Sequence, residues 1–269
     1  MSINFDEIID RRGTSCLKYD FAVERGYPKD VLPFWVADMD FRAPVPVIDA
    51  LMARTAHGIF GYTQVKDDYF NVLRDWFRTR HAWTVQRDEL VITPGVVFAI
   101  TTAIRAYTAP NEAVIIQQPV YYPFASMIRQ NGRTLIDSPL RFADGHYSID
   151  FADFEQKIID HKVKLFVLCS PHNPVGRVWT RAELEQLAAI CLRHHVIVVA
   201  DEIHEEFVRP GFCHIPFASL SADAAAITVT CTSPSKTFNL AGLQISNIFI
   251  SDESLRRRFK EELSRTGYD

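Results

Sequence analysis

His195-Val196-Ile197-Val198-Val199-Ala200-Asp201 is the stretch on which the fold turns. Five apolar residues run without alternation from a histidine to an aspartate. A strand covered on one face would alternate apolar with polar, so an unbroken run argues for cover on both faces, as in a parallel sheet. Further strand candidates, several of them unbroken apolar runs, occupy 113–117, 133–137, 164–169, 226–231 and 244–250, with helical spacing at 122–130, 151–160 and 180–194 between the earlier ones. Upstream, helical patterns at 46–56 and 66–81 precede a short strand at 89–93, the turn Pro94-Gly95 and an apolar helix over 96–107. The alternation predicts a doubly wound α/β fold with three layers, α/β/α, around a mostly parallel sheet. Residues 1–45 hold Gly13, Gly26, Pro28, Pro33 and Pro44 with little periodicity and read as an N-terminal arm; 46–269 read as one large domain. The charged stretch 253–265 reads as a solvated helix.

Composition narrows the function classes. The 269 residues are 48% hydrophobic and carry a formal net charge of −4, from 29 Lys and Arg against 33 Asp and Glu. That balance points away from nucleic acid and anionic membranes and toward small-molecule chemistry. No apolar run has the length of a membrane span, and the start lacks the basic and apolar regions of a signal peptide, so a cytoplasmic location is expected. Cys16, Cys169, Cys191, Cys213 and Cys231 are odd in number and widely spaced, which predicts buried, reduced thiols rather than disulfides or a cysteine zinc site.

Ligands of open α/β sheets sit beyond the carboxyl ends of strands. The residues that follow the strands are Gly95, Tyr121-Tyr122, Ser170-Pro171-His172-Asn173-Pro174, Asp201-Glu202-Ile203-His204 and Ser233-Pro234-Ser235-Lys236. A lysine in a low-dielectric pocket is more readily neutral and can form a Schiff base. An aspartate ending a buried strand is costly unless it meets a cation such as a protonated pyridine nitrogen. Gly95 opening an apolar helix leaves the N–H groups of Val96 and Val97 at a positive helix end, where a phosphate binds. With Ser233, Ser235 and an aromatic ring to stack on, Tyr121, these parts describe a pocket for pyridoxal 5'-phosphate (PLP).

"SPSKTFNLAGL", "ADEIHEEF", "SPHNPVGRVW" and "PVYYPF" resemble the fold type I PLP-dependent aminotransferase superfamily, and "PFWVADMDF" with "DEIH" resembles its cystathionine β-lyase or cysteine-S-conjugate β-lyase branch. The resemblance implies that Lys236 carries the cofactor, Asp201 partners the pyridine nitrogen, Asn173 bonds the phenolic oxygen and Tyr121 stacks on the ring. It implies that Val96, Val97, Ser233 and Ser235 hold the phosphate, and that Tyr62 reaches the phosphate of a neighbouring subunit in a homodimer. The implied activity is α,β-elimination from cystathionine or other L-cysteine S-conjugates; an aminotransferase, or a PLP-binding regulatory protein of low turnover, are the alternatives.

Three features depart from the common aminotransferase pattern. His204 stands where many members have a tyrosine, and Gln244 where many have a phosphate-binding arginine, both as in lyase-like relatives. His204 either touches the cofactor's phenolic side or fills the space. The resemblance also implies a C-terminal small domain, with a carboxylate-binding arginine, beyond residue 269. Trp35 and Asp38 are either substrate-mouth residues or plain arm. Other chemistries fit less well: Ser233-Pro234-Ser235-Lys236 matches S-x-x-K without S-D-N or K-T-G companions. His204-Glu205-Glu206-Phe207-Val208 lacks the second histidine of H-E-x-x-H, and no set of metal ligands is read.

Overall fold

The computed structural model describes residues 4–268. The chain divides into two compact units, one of Met1–Tyr62 with Pro234–Leu243, the other of Thr63–Ser233 with Gln244–Asp269.

The larger unit is built on a seven-stranded sheet. Its strands are β1 (Leu90–Thr93), β2 (Ala113–Ile116), β3 (Thr134–Asp137), β6 (Leu165–Cys169), β7 (Ile197–Asp201), β8 (Thr228–Thr232) and β9 (Ser246–Phe249), in the order β1-β9-β8-β7-β6-β2-β3. A separate two-stranded hairpin, β4 (Arg141–Ala143) with β5 (His146–Ser148), turns at Asp144-Gly145. β2, β3, β6, β7 and β8 pair in parallel, while β9 lies antiparallel to both β8 and β1. Six strands therefore point one way and β9 alone runs back.

Side-chain alternation places the helices. Leu165, Val167 and Cys169 of β6 face one apolar cluster; Phe166 and Leu168 face the other. The first cluster is completed by α3 (Val96–Tyr107), α4 (Pro123–Gln130) and α9 (Glu253–Ser264), the second by α5 (Phe151–His161), α6 (Arg181–Arg193) and the short α7 (Ala222–Ala226). Both faces are thus dry, which is why the strands read as unbroken apolar runs. The expected three-layer, mostly parallel architecture is the one found. A third cluster joins Phe70 and Phe77 of α2 (Asp67–His81) to Trp83, Val85, Leu90 and Phe249. Local signals start the helices: Thr180 and Glu183 form a reciprocal capping box on α6, and Asp150 caps α5.

The details depart from the sequence reading in three places. Residues read as the start of a strand at 226 instead close α7, capped by Ser221, and β8 begins at Thr228. α9 is not simply solvated: Phe259, Glu262 and Leu263 are buried, and Tyr107 donates to the Leu255 carbonyl. All five cysteines are free, but Cys213 is exposed rather than buried. Among the described residues no helix is long and apolar enough to cross a membrane.

The smaller unit contains α1 (Val45–His57) and the four-residue α8 (Pro234–Thr237). Its ties are polar. Arg11 grips Asp38 through both guanidinium nitrogens at 2.9 Å and reaches Asp40 at 2.7 Å. The buried Lys18 donates to the Asp38 carbonyl at 2.9 Å and to Asp40 Oδ2 at 3.2 Å. Asn239 brackets the Met39 backbone, accepting from its N–H and donating to its carbonyl.

Candidate active site

The strand directions of the larger unit bring the carboxyl ends of β1, β2, β6, β7 and β8 to one edge of the sheet. Asp201 ends β7 there, 5% exposed, with Cys169 of β6 and Cys231 of β8 beside it in register. Its Oδ1 accepts from the Ile203 N–H at 3.2 Å. Burial, then the Asp201 charge, pushes the Cys169 thiol up, and Cys231 is raised by the same two causes with Glu202 added. These thiols are held neutral.

Tyr121, half-buried after β2, packs edge-on against Phe124 at 5.7 Å between ring centres. Its phenol is raised by burial first, then by Tyr122 and Asp201, which places the ring within the aspartate's field. Asn173 is anchored by its backbone N–H to Cys169 Sγ at 3.3 Å, while among the described residues its side-chain amide has no hydrogen-bond partner. His172 beside it is buried, close to the Pro119 carbonyl at 3.0 Å, and burial lowers its pKa to about 4. His204 lies in the turn after Asp201, its ring 5.9 Å from that of Phe207.

At the first turn of α3, Gly95 sits at φ 125°, a conformation that a side chain rarely adopts, and an added Cβ would meet no atom within 4 Å. Val96 is buried and Val97 exposed, and the N-cap glycine offers no side-chain cap, leaving the leading N–H groups as donors to a ligand. Two hydroxyls that the sequence reading missed stand here: Ser246 Oγ lies 2.6 Å from Thr93 Oγ1 and accepts from the Gly95 N–H at 3.2 Å. The signal was a serine at the head of a strand, uninformative until that strand's reversed direction was known. Ser233, buried just after β8, donates to the Ile245 carbonyl at 2.6 Å.

In the smaller unit, Lys236 lies on α8, half-buried, its Nζ donating to the Ala37 carbonyl at 3.0 Å. Ser235, one residue before it, is buried. Tyr62 is fully exposed, beside Ile59 and Phe60, which are also exposed. Asp38 is committed to Arg11 and Lys18, and Trp35 packs on Tyr27 with ring centres 4.5 Å apart.

The residues of the larger unit fit PLP on their own terms. A buried carboxylate suits a cationic ring nitrogen, an unsatisfied amide suits a ring oxygen, and an open helix start suits a phosphate.

Known proteins resemble the chain along nearly its whole length. Cystathionine beta-lyase PatB of Bacillus subtilis is 48% identical over 265 residues, covering 98% of this chain and 68% of that protein. Protein MalY of Escherichia coli is 36% identical, covering 97% and 66%. The crystal structure of cystalysin from Treponema denticola, which contains a pyridoxal 5'-phosphate cofactor, superposes with a TM-score of 0.95 at 38% identity, over all of this chain and 68% of that one. The chain spans about two thirds of the length of these relatives. Residues 29–266 match the family model of aminotransferase class I and II, and with the sheet, the strand-end aspartate and the uncapped helix start in place, the chain belongs to that family.

Proposed function

We propose that this chain carries out PLP-dependent carbon–sulfur β-elimination, cleaving cystathionine or a related L-cysteine S-conjugate with water to a thiol, ammonium and pyruvate. The observation that carries the chemistry is Asp201, a buried carboxylate at a strand end whose neighbours are neutral thiols and a phenol. The likeness to PatB supports the choice of a sulfur-bearing substrate.

Bound PLP supplies an electron sink that acidifies the substrate's α-carbon and lets the β-sulfur depart. The chain's own residues do the rest. Asp201 would partner the pyridine nitrogen, where a carboxylate favours the protonated ring. Asn173 would donate its amide to the phenolic oxygen, Tyr121 would stack on the ring, and His204 would either touch the phenolic side or fill the space beside it. The N–H groups of Val96 and Val97 and the hydroxyls of Ser233 and Ser235 would hold the phosphate. Lys236 would hold the cofactor through its amine, and its Nζ is the group that would accept the substrate's α-proton.

We assign the enzyme as a cytoplasmic homodimer in which Tyr62 reaches the partner's phosphate; the exposed Ile59, Phe60 and Tyr62 support it, since a side chain serving its own subunit would be folded inward. The test is an assay of the purified protein with cystathionine, following pyruvate and free thiol against product that depends on an added keto acid. Pyruvate and thiol in equal amounts without a keto acid are expected; keto-acid-dependent product alone would make it a transaminase. Lys236→Ala is expected to stay folded but to lose the borohydride-fixable link to PLP, and a link that persists would remove Lys236 from its role.

A further inference from the structure

Behind Asp201 the chain gathers three carboxylates and two imidazoles that the proposed reaction does not use. His81, the last residue of α2, has Nε2 2.9 Å from Glu206 Oε1 and 4.0 Å from Glu205 Oε2. His214 Nε2 lies 3.1 Å from Glu202 Oε2, and the two imidazole rings meet edge to face at 5.4 Å. Glu202, Glu205 and His214 are at most 5% exposed.

Two of the carboxylates are well supplied. Glu206 accepts from Trp76 Nε1 at 2.9 Å and pairs with Arg80. Glu202 accepts from the Phe217 N–H at 2.8 Å. Glu205 differs: among the described residues its buried Oε2 has no hydrogen-bond partner, and neither has His81 Nδ1 or His214 Nδ1.

Glu202, Glu205 and Glu206 face one guanidinium, that of Arg80. A divalent cation would supply the partner that the buried Glu205 Oε2 lacks.

We propose that His81 Nε2, Glu205 Oε2 and Glu206 Oε1 form a binding site for one divalent metal ion of the zinc or manganese type. The three residues offer ligand atoms that all lie within 4.8 Å of one another. Ligands about 2.1 Å from a tetrahedral ion stand roughly 3.4 Å apart, and the separations of 2.9 and 4.0 Å bracket that value. One imidazole with two carboxylates is a hard-to-borderline set, which suits these ions and not soft Cu(I). Trp76 and Arg80 orient Glu206 from outside. Glu202, Glu205 and His214 form a second such group around the same glutamate, flanking the ion on its inner side. The ion would tie the end of α2 to the turn that follows Asp201, independently of which reaction the protein performs.

The test uses the purified full chain, stripped with a chelator and dialysed, then titrated calorimetrically with zinc chloride or manganese chloride alone. One ion per chain is expected. Trp76→Phe should weaken it about 10–100-fold, as loss of an outer partner does, and Glu205→Gln by about 100-fold or more. Glu185→Gln, on an exposed carboxylate of α6, should bind as the unaltered protein does. Diffraction from the unaltered protein at the metal's absorption edge gives a second check that needs no variant, with a peak expected between His81 and Glu205. No stoichiometric ion of either kind, equal affinity in Glu205→Gln, or a peak elsewhere would overturn the proposal.

Discussion

In the larger unit Phe154, Phe166, Phe217 and Phe259 are completely buried, whereas in the smaller one Ile8 and Phe34 are each 97% exposed and α1 buries no residue at all. The first region is held by apolar contact on two sheet faces. The second is held by Arg11, Lys18, Asp38 and Asp40, with Asn239 clasping the backbone around Met39. Apolar burial neither titrates nor is screened by counterions, while a network of part-exposed charges does both. The difference teaches that the two units should fail under different conditions.

Removing apolar volume from the sheet should cost most. Phe166→Ala empties a site between two strands and helix α5, where Phe154 packs edge-on at 4.9 Å, and a loss of about 3–5 kcal/mol is expected in urea unfolding. A loss under 1 kcal/mol would mean the sheet is not the stabilising region. Next comes an acid response inside the larger unit. His172 has a folded pKa of about 4 against an ordinary 6.5, so between those values the unfolded chain binds a proton that the folded one refuses. Stability is therefore retained above pH 6.5 and falls as pH drops toward 4, by roughly 3 kcal/mol at full extent. His172→Gln should flatten that slope in urea titrations, and an unchanged slope would show that another group sets it.

The arm should respond more weakly and at lower pH. The Arg11 guanidinium hydrogen-bonded to Asp38 holds its carboxyl below the ordinary 3.8. Its contribution is present above that value and lost as pH falls through the lower folded one. Asp38→Asn should loosen residues 11–40 by about 1.5–3 kcal/mol at neutral pH, seen as faster hydrogen exchange confined to that segment; exchange unchanged there would dissolve the contrast. Smallest of all, Leu32→Ala, at an exposed position of the same arm, should stay within about 0.5 kcal/mol, and a larger loss in urea unfolding would reveal apolar packing that the arm is here taken to lack.

The same contrast explains what could be read without a structure. β2, β6 and β7 were legible because burial on both faces leaves a nearly unbroken apolar run, while β8 was marked by buried β-branched residues although three of its five are threonine. The strand-end positions of Asp201, Asn173 and Ser233 followed from it. The direction of β9 was not legible, since Ser246-Asn247-Ile248-Phe249 carries no sign of which way it pairs, and with it went the hydroxyl pair Thr93 and Ser246. The hairpin of β4 and β5 was missed although Asp144-Gly145 is a recognised turn signal, because three-residue strands are too short to show a period. The cluster around Glu205 draws on α2, on the turn after β7 and on His214, so no local spacing could announce it. Phe259 and Leu263 were hidden by the charged residues around them, where two apolar side chains one turn apart suffice to seat a helix.

The reversed strand β9 also sets a schedule for synthesis. Among the described residues β1 finds its ladder partner in β9 alone, and Thr93 and Ser246 are 153 residues apart. At a translation rate of about 5–20 residues per second, β1 leaves the ribosome roughly 8–30 s before its partner does. During that interval the parallel strands can stack in the order they emerge, while β1 keeps an unpaired edge that other nascent chains could capture. A ribosome stalled before residue 246 would hold the chain in that state, whereas one stalled with β9 just outside the tunnel would let the sheet close from both sides at once.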